Sequence, residues 1–199
     1  MTAETIARLR ITLEDIHPAI WRRVEVPTAF SLKSLHDVIQ AAFGWEDRHL
    51  WHFEVGEQRY GLPNPDWPID GLAAARNIRL AALVGRNIAT FTYTYDMGDD
   101  WRHRIAIETV EQGQNSIAYP RFVDGERQCP PEDVGGLPGF ERFLDALADP
   151  NHPDHHELQE WHGGPFDPES FNHLATKRAI GMIARRRSAA KAAYAKRRT

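Results

Sequence analysis

The sequence predicts an α+β fold: one antiparallel sheet packed by helices, with a basic helical or disordered tail at the C-terminus. Three observations carry this. Apolar and polar residues alternate in five separate segments, the period of half-buried strands. Short connections join 6–13 to 20–26 and 88–95 to 101–110, which suits antiparallel pairing. The helical stripes gather in one early segment and toward the C-terminus, not between every pair of strands.

The elements follow in order. Ala7, Leu9, Ile11 and Leu13 alternate, predicting a strand over 6–13 that His17-Pro18 interrupts, since proline donates no backbone hydrogen bond. Ile20, Arg22, Val24 and Val26 predict a partner strand over 20–26, stopped by Pro27. Ser31 reads as an N-cap, Leu32, Leu35, Ile39, Ala42 and Phe43 as a helical stripe over 32–43, and Gly44 as its C-cap. Trp51, Phe53 and Val55 share one face of a strand over 49–55. Residues 61–71 hold three prolines and read as a loop. Ile78 to Val84 reads equally as a short helix or a strand. Strands over 88–95 and 101–110 form a hairpin around Asp96-Met-Gly-Asp-Asp100. The Pro- and Gly-rich stretch 119–139 reads as irregular. Pro138, Phe140, Phe143, Leu144 and Leu147 mark a helix over 138–148, and Asp154 to Trp161 a shorter one. Asp167-Pro168-Glu169 reads as the cap and first turn of a last helix.

Composition narrows the function. Six Trp, nine Phe and five Tyr among 199 residues supply enough apolar surface for a folded core. The longest apolar run, Leu80–Val84, is far short of the roughly 20 residues that span a bilayer, so no membrane contact is expected. The N-terminus lacks a signal-peptide pattern, and the lone Cys129 excludes an internal disulfide, so a cytoplasmic setting is expected. The net charge of −4 hides an asymmetry. Residues 177–199 hold nine of the 24 basic side chains and no acid, leaving fifteen bases against 28 acids, a balance of −13 elsewhere. This divides the chain into a 1–176 domain and a 177–199 tail.

Several motifs stand in a fixed order: Ile20-Trp-Arg-Arg-Val-Glu-Val26, Ala42-Phe-Gly-Trp-Glu46, His49-Leu-Trp51 and Tyr95-Asp-Met-Gly-Asp-Asp-Trp-Arg-His103. Cys129-Pro-Pro-Glu-Asp-Val-Gly-Gly136, Phe143 to Pro153 and Gly164-Pro-Phe-Asp-Pro-Glu169 follow. Over roughly residues 5–175 the chain resembles the plasmid pRiA4b ORF-3-like family, some of whose members carry a TnpR or insertion-element passenger label. Met97 stands where family members often have Phe. The resemblance implies a compact α+β domain and an association with plasmids or mobile elements. It implies no reaction. The recombinase label finds no support in the residues, because Ser31 sits at a helix cap, Ser34 lies inside that helix, and no cluster of active-site arginines accompanies them.

The candidate pocket comprises His49, Asp96, Asp99, Trp101, His103, Cys129, Glu132 and Asp133. His49 and His52 have a metal-pair spacing, but three residues apart on a strand they face opposite ways. His49 then reads as a hydrogen-bonded core histidine. Asp96, Asp99 and Asp100 are short acids of a turn, and they fail the EF-hand pattern, whose sixth and twelfth positions fall on Trp101 and Ile107. His103, beside these acids, reads as an orienting partner of Asp96 or Asp99, or as an acid/base with a raised pKa. Cys129, followed by Pro130, Pro131, Glu132 and Asp133, carries no cysteine-protease signature and reads as part of a stiff loop and not as a nucleophile. His152, His155, His156 and His162 read as a solvated surface. No nucleophile–base set, phosphate loop or metal cage is legible, so no cofactor and no metal is assigned. The pattern points to a binding or accessory domain with an unidentified protein partner. The alternative is a metal-assisted or acid/base hydrolase built around His103.

The tail carries Arg185, Arg186, Arg187, Lys191, Lys196, Arg197 and Arg198 among alanines of high helix propensity. Three readings fit it: a solubilising extension, sequence-independent contact with nucleic-acid phosphates, or docking on an acidic protein surface.

Overall fold

Strand β1 (Thr5–Leu13) lies between two antiparallel partners, β2 (Trp21–Pro27) and β7 (Trp101–Gln112), and the sheet grows outward from it. The structure is a computed structural model that describes residues 3–63 and 70–197. Five further strands, β3 (Trp51–Val55), β4 (Gln58–Gly61), β5 (Leu72–Ala74), β6 (Thr90–Tyr95) and β8 (Arg121–Glu126), complete the order β5-β4-β3-β6-β7-β1-β2-β8. Every pairing is antiparallel except β4 with β5. The fold is α+β, as the alternation predicts.

Helix α1 (Leu32–Phe43) buries Leu32, Leu35, Val38, Ile39, Ala42 and Phe43. The leucine, valine, isoleucine and phenylalanine side chains contribute about 1.5–3 kcal/mol each when fully buried. Ser31 Oγ accepts the Ser34 N–H at 3.2 Å, and Gly44 closes the helix at φ 85°. The sheet's inner face presents Leu9, Ile11, Val24, Phe53, Tyr93 and Ile105 to the core. Its other face carries ion pairs across the strands: Arg8 with Glu25 at 2.8 Å, Arg121 with Glu25 at 2.5 Å and Arg23 with Glu108 at 2.7 Å.

Arg22 lies on the core side, 1% exposed. Its guanidinium donates to the carbonyls of Ala42, Trp21, Glu126 and Arg127, and stacks 3.8 Å from the Phe171 ring. It ties β2, the end of α1 and the chain leaving β8 together, and burial pushes its pKa down to about 10.

Several expectations need correction. The stretch 119–139 is not wholly irregular, since β8 pairs with β2 there. Its alternation is masked by a register shift and by Gly125, where a Cβ would stand 2.9 Å from the Trp21 carbonyl. At four and three residues, β4 and β5 are too short for periodicity to reveal. The ambiguous 78–84 segment is helix α2 (Leu80–Gly85). Helix α3 (Gly136–Ala148) starts two residues before Pro138, within the first turn, where a missing N–H is harmless. Helix α4 (His155–His162) stands as expected.

The last helix, α5 (His173–Lys196), is capped by Asn172 and not by Asp167, whose side chain instead closes a turn by accepting the Glu169 N–H at 3.0 Å. It runs unbroken through the 176/177 boundary. Thr176, Ile180 and Ala184 are buried on its inner face, and Arg187 and Lys191 bind Glu4 near the other terminus. Part of the basic segment is therefore packed on the domain. Arg198 and the central part of the 61–71 loop lie outside the described residues. Among the described residues no helix is long and apolar enough to cross a membrane.

Candidate functional site

Three loops meet at one end of the sheet: 44–50 after α1, 96–100 between β6 and β7, and 129–136 between β8 and α3. Asp96 adopts φ 59°, and its Oδ1 accepts the N–H groups of Gly98 at 2.8 Å and Asp99 at 3.3 Å. This is turn chemistry, as the sequence suggests. Asp99 in turn accepts the Gly135 N–H at 3.2 Å. Gly136, at φ 67°, lies so close that an added Cβ would stand 2.8 Å from the Asp99 carbonyl oxygen. Glu132 Oε1 accepts the Glu46 N–H at 2.6 Å and the Tyr95 hydroxyl at 3.0 Å, while that hydroxyl accepts the Arg48 N–H.

His49 sits where the loops converge. Its Nε2 lies 2.9 Å from Asp133 Oδ1, 3.5 Å from Asp96 Oδ2 and 3.6 Å from Glu132 Oε2. The atom is sealed from solvent and makes no hydrogen bond: even the Asp133 oxygen lies off the direction in which an Nε2–H would point. Asp96 and Glu132 share one arrangement. One oxygen of each is anchored by loop N–H or hydroxyl donors, and the other is turned toward His49. His49 is thus no satisfied core histidine, because the chain turns into β3 only at Trp51 and leaves its ring among the loop acids.

The other pocket candidates go elsewhere. His103 is fully buried and touches neither Asp96 nor Asp99. Its Nδ1–H points at the carbonyls of Trp101 at 2.9 Å and Tyr93 at 3.3 Å, and its Nε2 accepts the Trp45 indole N–H at 3.4 Å. Burial drives its pKa down to about 4, the opposite of the expected rise. Strand alternation is the reason: two residues beyond the loop, the side chain already points inward beneath Phe43. Trp101 stacks on Trp45 with centroids 5.9 Å apart, and burial pushes the Cys129 thiol far above its usual range. Of the eight candidates, His49, Asp96, Glu132 and Asp133 converge, with Asp99 bracing their loops.

Residues 5–175 match the sequence model of the family described as "Plasmid pRiA4b ORF-3-like protein". The chain belongs to that family. The pRiA4b ORF-3-like chain is 37% identical over 181 residues to "Uncharacterized protein y4hQ" of Sinorhizobium fredii (strain NBRC 101917 / NGR234), covering 90% of this chain and 93% of that protein. Its fold matches the crystal structure of a protein of unknown function, MM3350 from Methanosarcina mazei Go1. That match has a TM-score of 0.79 and 32% identity, and covers 86% of this chain and 97% of the other.

Two features of the pRiA4b ORF-3-like chain escape the sequence reading. Tyr95, at the end of β6, holds Glu132 in place. His36, a polar residue within the apolar stripe of α1, anchors a buried network. Its Nε2–H donates to Asp47 at 2.9 Å, its Nδ1 accepts from the Tyr93 hydroxyl at 2.8 Å, and Gln40 donates to that hydroxyl at 3.0 Å. Burial lowers the His36 pKa to about 3. His52 lies on the other face of β3 near Glu54, so it is no partner of His49. His152, His155 and His162 make local backbone bonds around α4. In α5, Arg187 and Lys191 are held by Glu4, whose pKa they lower to about 2, whereas Arg185, Arg186 and Arg197 are exposed.

Proposed function

We propose that the pRiA4b ORF-3-like chain is a divalent-cation-binding domain, with His49, Asp96 and Asp133 as ligands and Glu132 beside them. The observation that carries this is His49 Nε2, which has no hydrogen bond and is faced by three carboxylate oxygens within 3.6 Å. The ligand atoms of His49, Asp96 and Asp133 lie within 4.8 Å of one another. Ligands about 2.0–2.2 Å from a shared ion span such distances. Imidazole with carboxylates suits manganese or zinc, and three protein ligands leave positions open for water or a substrate. The anchored oxygens of Asp96 and Glu132 supply the outer hydrogen bonds that orient such ligands. The hydrolase alternative accordingly centres on His49 and not on His103. The test is calorimetric titration of chelator-treated protein with Mn2+ and Zn2+. One ion should bind per chain, with binding lost in His49→Ala and Asp133→Asn and kept in His52→Ala. Absence of binding, or binding indifferent to His49→Ala, overturns the reading.

Sequence-independent contact with nucleic acid through α5 is the second reading. It is favoured by the exposed cations of α5, among which Arg185 and Arg186 hold no carboxylate among the described residues. Binding of a labelled oligonucleotide at low salt tests it, and no binding removes it.

A further inference from the structure

We infer that the groove between α5 and β8 holds the phosphate backbone of single-stranded nucleic acid; this rests on the nucleic-acid reading above and gives it a place. The groove measures about 460 Å3. Its floor is apolar, formed by Pro120, Phe122 and Ala184, and its rim carries Lys177, Arg178 and Arg185. Arg121 also lines it but is held by Glu25.

The helix is sided. Thr176, Ile180 and Ala184 face inward, and Arg187 and Lys191 are drawn to Glu4. Leu174, Arg178, Gly181 and Arg185 recur at intervals of four, three and four residues, so they form one stripe along the groove. Seven residues of helix place Arg178 and Arg185 about 10 Å apart along the axis. Gly181 keeps the space between them low, since a Cβ there would meet nothing nearer than Arg185 Nη1 at 3.8 Å.

The rim cations are uncompensated. Arg8, Arg23, Arg121, Arg142 and Arg187 each hold a carboxylate, but Lys177, Arg178 and Arg185 hold none among the described residues. Unpaired cations in a row beside an apolar floor are complementary to a polyanion with apolar faces. A phosphodiester chain offers that in any sequence, one charge per nucleotide, with a base to lie on the half-exposed Leu174 above the buried Pro120 and Phe122. The concave site admits a single strand more readily than a duplex. The family match ends at residue 175, so Lys177, Arg178 and Arg185 lie beyond it.

The experiment is fluorescence anisotropy of a labelled oligothymidylate of about 12 nucleotides, within the range that single-strand grooves accept. The full-length protein is used at two or more salt concentrations. Three phosphate contacts predict a log–log salt slope of about −2, falling by about 0.7 for each cation removed. Arg178→Glu with Arg185→Glu should weaken binding about tenfold or more. Gly181→Glu should do the same while favouring the helix, which separates loss of binding from loss of folding. Arg186→Glu and Arg197→Glu, outside the stripe, should change it little. Binding that falls with those two and survives the groove variants overturns the groove and leaves the nucleic-acid reading standing. No binding by the wild-type chain at low salt overturns both. Groove-dependent binding of polyglutamate without binding of the oligonucleotide replaces nucleic acid by an acidic peptide.

Discussion

Buried histidines make this protein sensitive to mild acid. His36 and His103 each use both ring nitrogens on fixed partners, and burial drives their pKa values to about 3 and about 4. An unfolded chain releases both imidazoles to the ordinary value near 6.5. Below that pH the unfolded state binds protons that the folded state refuses, so the stability difference is fully present above 6.5 and declines as pH falls toward 4. Between pH 7 and pH 5 the expected loss is about 2 kcal/mol for each histidine, at about 1.4 kcal/mol per pKa unit. Urea unfolding at the two pH values reads it directly, and equal stabilities would contradict the buried neutral rings. Glu4, lowered to about 2 by Arg187 and Lys191, loses its contribution only as pH falls below the ordinary carboxylate value near 4.5, beneath this window.

At the scale of elements, the candidate site is three loops braced against one another, with Gly136 where they touch. Gly136→Ala meets two obstacles: a left-handed backbone at φ 67°, worth about 1–2 kcal/mol, and a Cβ 2.8 Å from the Asp99 oxygen. The substitution should lower stability and also abolish cation binding, because it pushes the Asp133 loop away from the Asp96 loop. Gly56→Ala supplies the comparison. Its φ is 61°, but no atom lies within 4 Å of the added Cβ, so stability should fall while cation affinity stays unchanged. Equal cation affinity in both variants would show that the loop contact does not set the site.

At the scale of the whole molecule, α5 joins the chain's two ends to the sheet. Charge alone suggests cutting at residue 176, but Ile180 and Ala184 lie beyond that point and pack inward, and Arg187 reaches Glu4. Deleting 177–199 removes a buried isoleucine worth about 1.5–3 kcal/mol and bares its apolar partners. Deleting only 192–199 removes residues that are exposed over the described 192–197, and should change stability by about 0.5 kcal/mol or less. Urea midpoints of the two truncations decide this; equal midpoints would mean that α5 packs too weakly to count as part of the domain.

Local pattern determined much of this protein. The strands at 6–13, 20–26, 88–95 and 101–110, the Ser31 and Gly44 caps and the turn chemistry of Asp96 are legible because period, capping and turn preference act over a few residues. The order of motifs also marked the family over residues 5–175. Tertiary structure alone decided the rest. β8 is a strand because β2 offers it an edge, and Gly125 fits only against Trp21 and Arg22. His49 and His103 look alike in sequence, each a histidine beside tryptophan and acids. One precedes its strand and stays among carboxylates from two other loops; the other follows strand alternation into the core. The distance from His49 to Asp133 spans 84 positions of chain, and no periodicity encodes a contact between loops. The tail's charge is visible from composition, but which cations Glu4 takes and which remain on the groove depends on how α5 is turned against the sheet.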